Sequence, residues 1–291
     1  PADLPLSEED IQKYLNRRKP GQSKFTTQRK ESDQAEILSG VFEGHTTGTP
    51  ISILVRNQDQ KSRDYSNIMN TYRPGHADYT FDAKYGFRDY RGGGRSSGRE
   101  TIGRVAAGAV ACKILESLGI QVMAYTKSIG PVSIPEQDYD YSVITDNTLY
   151  MPNNQYAEKA SAYLEECIRS QDSSGGIIEC RVDHMPAGIG ETVFEKLDAN
   201  LAKAMMSIGA VKGFEIGDGF QAAKASGSQN NDAFSSNSDG IYKETNHSGG
   251  VLGGMSDGST IVLRAAIKPT PSISQPQDTV DKDGKPLSLT I

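Results

Sequence analysis

Three helix–strand pairs follow one another along the chain and restrict its fold more than any other feature. Apolar residues recur with helical spacing from Ile102 to Leu118, Gly119 suits the end of that helix, and a strand-like run follows from Ile120 to Tyr125. Helices that alternate with strands predict one α/β or α+β body built of layered helices and sheets. The other two pairs are predicted at 155–170 with 177–182, and at 194–206 with 211–216.

Shorter elements are predicted around these pairs. Ser7 is placed to cap a helix that runs to Asn16, and acidic residues in its first turn favour the positive end of the helix dipole. The segment 72–98 lacks a regular period and is dense in Gly, Tyr and Arg, which predicts a long functional loop. The segment 222–250 is polar and also predicts a loop. Further strands are predicted at 37–42 and 51–55, with a turn at 44–48 between them, and at 259–267. No closing helix is expected.

The overall charge argues against a general nucleic-acid binder. The chain has 291 residues and a net charge of −6, whereas affinity for a phosphate backbone needs an excess of Lys and Arg. The three cysteines and four histidines show no metal-ligand spacing, so no metal site is predicted. No apolar run approaches the roughly 20 residues that span a bilayer, so no membrane partner is expected.

Arginine is concentrated in one part of this acidic chain. Six of the 14 arginines fall between Arg73 and Arg104, and a second basic run lies near the start, between Lys13 and Lys30. Such clustering favours a local anion site over a generally basic surface. The alternative is two solvated faces that carry ordinary ion pairs.

The stretch from Gly92 to Glu100 combines glycines, two hydroxyls and two arginines just before a predicted helix. Glycines let backbone N–H groups approach a ligand, and a helix N-terminus favours anions. Arg95 and Arg99 add charge-assisted contacts to phosphate or carboxylate. Ser97 stands three residues before Glu100, the spacing of a capping box. The stretch therefore predicts a phosphate cradle, although a flexible turn before a capped helix would have the same sequence.

His76 lies in a turn between Pro74-Gly75 and Asp78. Proline and glycine fix the turn, so the imidazole is presented from a stiff loop rather than from a helix face. Because histidine titrates near neutral pH, His76 is a candidate for proton transfer. The alternative is a structural histidine whose hydrogen bonds are satisfied by Asp78 or by backbone.

Several segments resemble the signature blocks of the chorismate synthase family, and the likeness runs from Leu4 to the last residues. A match to one glycine-rich motif arises easily by chance, whereas a match to this many blocks in the family's order does not. The blocks are Arg73–Asp78, Gly92–Ala109, Gly217–Phe220, Asn246–Gly250 and Lys268–Thr270.

This resemblance implies a fold, a reaction and a setting. The fold would be α+β, a β-α-β sandwich, with residues 1–291 forming a single domain. The reaction would be a 1,4-elimination of phosphate from 5-enolpyruvylshikimate-3-phosphate, giving chorismate in the shikimate pathway of aromatic amino acid biosynthesis. The lyase would require reduced FMN, although the reaction has no net redox change. NADPH is a further candidate cofactor, as the reductant of the flavin. The family's usual assembly is a homotetramer, and a cytoplasmic location is expected.

The resemblance also assigns site residues by position. His76 matches one of the family's two catalytic histidines. Substrate or nicotinamide contacts are implied for Arg18 and Lys24, and substrate phosphate or carboxylate contacts for Arg29 and Arg99. Flavin contacts are implied for Arg95, Ser96, Ser97, Gly209, Ala210, Gly253, Lys268, Pro269, Thr270, Pro271 and Ser272.

Two of the family's blocks are expected outside the sequence. A Gly-Glu-Ser-His block, with the other catalytic histidine, would precede Pro1, and a Gly-Arg-His-Asp block would follow Ile291. Loss of an acid or base typically costs about 10²–10⁴-fold in rate, so the chain as written is expected to be badly impaired. The alternative functions are a truncated, inactive homologue or a non-catalytic anion- or RNA-binding module with tyrosines as stacking platforms.

Overall fold

The structure is a computed structural model that describes residues 1–26, 31–58, 68–91, 94–238 and 240–290. The chain divides into two compact units, the first formed by 1–114 with 271–291 and the second by 115–270. The prediction of a single domain over 1–291 stays a prediction.

Six α-helices and sixteen strands occur in the part of the chain that the structure describes. The helices are α1 (Glu8–Arg18), α2 (Asp78–Tyr85), α3 (Thr101–Ser117), α4 (Asn154–Arg169), α5 (Leu197–Met206) and α6 (Gly227–Asn230). The strands are β1 (Ala2–Pro5), β2 (Ala35–Ser39), β3 (Val41–Phe42), β4 (His45–Thr47), β5 (Ser52–Val55), β6 (Gln121–Ile129), β7 (Val132–Ser133), β8 (Gly176–Asp183), β9 (Val211–Ile216), β10 (Phe234–Asn237), β11 (Gly240–Lys243), β12 (Val251–Leu252), β13 (Met255–Ser256), β14 (Ile261–Ile267), β15 (Gln277–Val280) and β16 (Pro286–Leu289).

The first unit contains small antiparallel sheets, the helices α1 and α3, and most of the predicted anion-binding residues. Its sheets have the orders β1-β4-β3, β2-β5 and β15-β16. Ile11 and Leu15 of α1 are fully buried and pack in one core with Ile102, Ala106 and Ala109 of α3. Because α1 and α3 share this core, the packing fixes the end of α1 relative to the start of α3.

The second unit is organised by a five-stranded antiparallel sheet of order β7-β6-β8-β14-β9. One core joins Ile120, Val182 and Ile261, with Leu197 and Leu201 of α5 packed against it. A second core joins Ile134 and Met151 to the buried face of α4. The mixture of helices and antiparallel sheets confirms the predicted α+β class.

The helices begin and end close to the predicted residues. Ser7 caps α1, and Asp10 completes a capping box with it. Gly119 follows α3 with φ +78°, the left-handed conformation that glycine adopts without strain. All three predicted helix–strand pairs are present, as α3–β6, α4–β8 and α5–β9.

Three local predictions were wrong. Helix α2 lies inside the segment predicted to be a long loop, because Asp78 and the residues after it form two turns that end at Gly86. Strand β4 occupies a segment predicted to be a turn. The polar segment 222–250 contains α6 and the hairpin β10–β11. A second hairpin, β15–β16, lies near the end of the chain, for which only the absence of a closing helix was predicted. Such hairpins carry weak apolar periodicity, since one or both faces lie at the surface.

The Ser97 cap also differs from the prediction. Ser97 Oγ accepts a hydrogen bond from the Arg99 backbone N–H at 3.2 Å and caps a short 3-10 turn, Gly98–Glu100, that precedes α3. The Glu100 carboxylate pairs with Arg95 rather than completing a capping box.

Candidate active site

A cavity of about 770 Å³ lies within the first unit. Its lining includes five basic side chains and three carboxylates, so the side chains around it carry an excess of positive charge in an acidic chain. The basic residues are Arg18, Lys19, Arg91, Arg95 and Arg99, and the acidic ones are Glu31, Asp89 and Glu100. This arrangement supports the predicted local anion site.

Arg18 reaches the cavity from the last turn of α1. Its Nη1 donates to Asp33 Oδ2 at 2.7 Å, and its Nε donates to Thr101 Oγ1 at 3.1 Å. The Arg18 side chain is 21% exposed, whereas the Asp33 side chain is fully buried. The guanidinium is thus held from two directions and keeps one edge toward the cavity.

Arg99 reaches the same cavity from the turn that precedes α3. Its Nη2 donates to the Arg56 carbonyl oxygen at 3.1 Å, and its Nη1 lies 3.4 Å from Glu31 Oε1 and 3.5 Å from Asp33 Oδ1. Two buried carboxylates therefore contact this guanidinium, Glu31 within the cavity lining and Asp33 outside it. Arg18 and Arg99 share Asp33, which ties their positions together.

Arg95 is the most exposed of the predicted ligands in the cavity wall. Its side chain is 87% exposed, and its Nη1 lies 3.1 and 3.2 Å from the two carboxylate oxygens of Glu100. An exposed ion pair of this kind contributes only about 0–1 kcal/mol. A bound phosphate could therefore replace Glu100 at low cost. Ser97 lines the same cavity, beside the start of α3.

His76 contacts a residue that is 196 positions away in the sequence. Its Nε2 lies 3.1 Å from Ser272 Oγ, and Ser272 is one of the predicted flavin-contacting residues. A backbone hydrogen bond from His76 N–H to the Arg73 carbonyl oxygen closes the turn that presents the ring. His76 does not belong to the set of residues that line the cavity of Arg18.

Two arginines of the basic cluster are structural. Arg73 and Arg88 are nearly buried and surround Asp78, at 2.8 and 3.6 Å respectively. Burial alone would raise the pKa of Asp78, but hydrogen bonds and charge from Arg73, with charge from Arg88, outweigh it and hold the pKa below its usual value. Arg88 also donates to the carbonyl oxygens of Ile68 and Thr71. The arginine-rich segment thus serves both the anion site and the loop that carries His76.

Three predicted residues stand apart from the cavity or outside the described ranges. Lys24 is exposed, with its Nζ 5.2 Å from the centre of the Phe25 ring, and does not line the cavity. Ser96 is exposed in the short turn Gly94–Ser96. Arg29 lies outside the residues that the structure describes, as do Gly92 and Gly93 of the predicted cradle.

The remaining predicted flavin residues are divided between the units. Pro271 and Ser272 belong to the first unit. In the second, the Lys268 backbone N–H donates to the Ala210 carbonyl oxygen at 2.9 Å, which brings two of the predicted segments together. Ser173 Oγ donates to the Thr270 carbonyl oxygen at 2.7 Å. Two more residues of the second unit, Gly209 and Gly253, are exposed, and Pro269 is exposed beside Thr270.

Sequence reasoning missed the acidic half of the site. Asp33 and Glu31 lie in a short polar stretch before β2, and Thr101 begins α3. Their pairing with Arg18 and Arg99 joins residues 15 to 83 positions apart, so no local pattern indicates it. The one available signal was charge balance, since arginines brought close together need carboxylates.

Across the described parts of the chain, no group of three His, Cys, Asp or Glu side chains could hold a metal ion. Helices long and apolar enough to cross a bilayer are likewise missing from those parts. Taken together, an α+β fold with a positive cavity and a loop-presented histidine is the arrangement of an enzyme that binds a small, multiply anionic substrate.

Comparison with known proteins identifies the family. The chorismate synthase family model matches residues 1–291. The chorismate synthase of Agathobacter rectalis is 66% identical over the whole chain, which covers 79% of that protein, and that of Lachnospira eligens is 64% identical with 80% covered. A crystal structure of chorismate synthase superposes with a TM-score of 0.78 at 36% identity, covering 93% of this chain and 79% of that one.

The chain therefore belongs to the chorismate synthase family. The match supports the predicted fold of the chorismate synthase type and the predicted function, a lyase that forms chorismate in the shikimate pathway. A truncated, inactive homologue or a non-catalytic anion- or RNA-binding module is not favoured.

Proposed function

We propose that the chain eliminates phosphate from 5-enolpyruvylshikimate-3-phosphate and that the arginine cavity of the first unit binds the anionic groups of this substrate. The observation that carries the proposal is the pairing of Arg18 and Arg99 on one buried carboxylate at the cavity wall. A substrate with one phosphate and two carboxylates needs several fixed cationic donors, and guanidinium groups bind such oxyanions in bidentate fashion.

His76 is proposed to donate a proton to the flavin or to the leaving phosphate. The elimination breaks the C–O bond to phosphate, and a histidine is suited to supply a proton near neutral pH. The Ser272 hydroxyl at 3.1 Å from Nε2 fixes the orientation of the ring. Which ring nitrogen carries the proton follows from whether Ser272 donates or accepts in that hydrogen bond.

The residues of the first unit fit the phosphate of a flavin mononucleotide. Arg95 is exposed and held only by a weak surface pair, and Ser97 and the start of α3 lie beside it. A guanidinium, a hydroxyl and a helix N-terminus form a typical donor set for a phosphate group. Arg95, Ser96 and Ser97, with Pro271 and Ser272, are proposed to hold the flavin.

Further flavin contacts are proposed, from the family resemblance alone, for Gly209, Ala210, Gly253 and the segment Lys268–Thr270. The Ala210–Lys268 backbone hydrogen bond supports a shared location for two of these segments. When bound in reduced form, the flavin supplies electron density that helps the C–O bond to break. NADPH is proposed as its reductant, and Arg18 and Lys24 are the proposed nicotinamide contacts.

The direct test mixes the full-length protein with reduced FMN and substrate without oxygen, and follows chorismate absorbance and phosphate release. His76→Ala and Arg95→Ala are expected to lower turnover strongly, with His76→Ala costing about 10²–10⁴-fold. Arg169→Ala is the matched control, because Arg169 is an exposed helix residue paired with Glu166. Unchanged turnover in both site variants would show that the site is misassigned.

The proposals for assembly and location rest on the family resemblance alone. We propose a homotetramer in the cytoplasm, to be tested by sedimentation of the purified full-length protein and by cell fractionation. RNA binding with steep salt dependence, and without a flavin spectral change on mixing, would instead support the non-catalytic alternative.

A further inference from the structure

Asp33 is a buried carboxylate that contacts both substrate-binding arginines. Asp33 is fully buried. Its Oδ2 accepts a hydrogen bond from Arg18 Nη1 at 2.7 Å, and its Oδ1 lies 3.5 Å from Arg99 Nη1. Oδ1 accepts no hydrogen bond from any residue that the structure describes. Asp33 itself does not line the cavity. Asp33 therefore contacts the proposed anion ligands from outside the cavity lining.

The backbone around Asp33 is fixed in an unusual conformation. Asp33 has φ +45°, a left-handed conformation that is uncommon for residues other than glycine and that Asp tolerates better than most. Gln12 of α1 holds this segment, because its side chain donates to the Asp33 carbonyl oxygen and accepts from the Ala35 N–H. The same helix that anchors Asp33 through Gln12 thus carries Arg18 six residues later, about 1.7 turns along the helix.

We propose that Asp33 is a positioning residue that sets the orientation of Arg18 and Arg99 toward the bound anion. An arginine side chain loses about 0.5–1.5 kcal/mol of rotamer freedom when a ligand immobilises it. A partner that fixes the guanidinium beforehand removes this cost from binding. Thr101, at the start of α3, also helps to fix the Arg18 guanidinium, because its Oγ1 accepts a hydrogen bond from Arg18 Nε at 3.1 Å.

Positioning and simple electrostatics make opposite predictions for Asp33. A negative charge behind two guanidiniums opposes the binding of an anion, so its removal would tighten binding if charge alone mattered. If orientation dominates, removal weakens binding even though the cavity becomes more positive. The inference rests on the proposed anion-binding role of the cavity, and the sign of the effect decides between the two.

The experiment measures the affinity of the full-length protein for inorganic phosphate by calorimetry at constant ionic strength, for Asp33→Asn and Asp33→Ala. We expect affinity to fall by about twofold to twelvefold per released guanidinium. In an Arg18→Ala background, Asp33→Ala should have a much smaller effect, because one of the two positioned groups is already absent. Substrate KM should rise more than kcat falls.

Asp10→Asn is the matched control, because Asp10 is a carboxylate on α1 that pairs with Lys113 at 2.6 Å and lies outside the cavity lining. It should lower stability and leave phosphate affinity unchanged. Equal or tighter phosphate binding by a folded Asp33→Asn would overturn the proposal. A variant that fails to fold even in saturating phosphate would assign Asp33 to folding and overturn it as well. The two proposals can fail separately. If the Asp33 variants bind phosphate more weakly but the unsubstituted full-length protein shows no turnover, this inference is retained and the proposed reaction is rejected.

Discussion

Arg73 encloses the carboxylate of Asp78 through three hydrogen bonds. Its backbone N–H and its Nε donate to Oδ2 at 3.1 and 2.8 Å, and its Nη2 donates to Oδ1 at 2.9 Å. Arg88 adds a second guanidinium at 3.6 Å, and all three side chains are nearly buried. This ion pair closes the turn that presents His76, so the stability of the turn depends on one buried charge.

Asp78→Asn should lower the free energy of unfolding by about 3–5 kcal/mol, because it leaves the nearly buried guanidinium of Arg73 without its carboxylate, whereas Arg88 keeps its ion pair with Asp82. The pKa of Asp78 is lowered in the folded state. Its contribution is therefore fully present above the unfolded pKa of about 4 and is lost as pH falls through the folded value. Urea unfolding of both proteins between pH 7 and pH 3 checks this. A stability difference that is independent of pH would contradict it.

Arg95→Ala should weaken FMN binding by about tenfold or more, the equivalent of about 1.4 kcal/mol, with little change in stability. The reason is that the Arg95–Glu100 pair is exposed and contributes little to folding, whereas a phosphate ligand would use the guanidinium fully. Quenching of flavin fluorescence on titration with protein gives the dissociation constant. Glu100→Gln is the informative companion, since it should leave FMN affinity equal or higher.

Ser272→Ala should change the behaviour of His76 without unfolding the protein. Loss of one hydrogen bond of about 0.5–1.5 kcal/mol predicts a roughly twofold to twelvefold fall in kcat. The ring nitrogen signals of His76 should also move in an NMR spectrum, since the hydroxyl lies 3.1 Å from Nε2. Ser272→Thr keeps the hydroxyl and should restore both readouts. Unmoved ring signals in Ser272→Ala would reject this contact.

Gly217→Ala should destabilise the second unit by about 2–5 kcal/mol, from left-handed strain and overpacking. Gly217 has φ +54°, and an added Cβ would lie 2.1 Å from the His247 carbonyl oxygen. Gly108→Ala is the control, because Gly108 lies within α3 with open space around its Cβ position. Gly108→Ala should raise the free energy of unfolding by about 0.5–1 kcal/mol, because alanine favours the helix more than glycine does. Thermal unfolding of both variants tests the pair, and similar shifts would contradict the assignment.

Local patterns in the sequence determined the regular elements of this protein. The apolar spacing of α3, α4 and α5, the Ser7 cap and the glycine after α3 each encode a helix and its ends. Such patterns work because a helix must bury one face and satisfy its terminal N–H and C=O groups wherever it packs. The order of the signature segments likewise indicated the family, which the comparisons show.

The tertiary structure alone decided how the charged residues are used. Arg73 and Arg88 look the same in sequence as Arg95 and Arg99, yet the first two are buried around Asp78 and the last two line the cavity. Asp33 gave no signal because its partners lie 15 and 66 positions away, at Arg18 and Arg99. The physical reason is that an ion pair depends on distance and burial, which the packing of α1 on α3 sets. Local sequence encodes neither quantity.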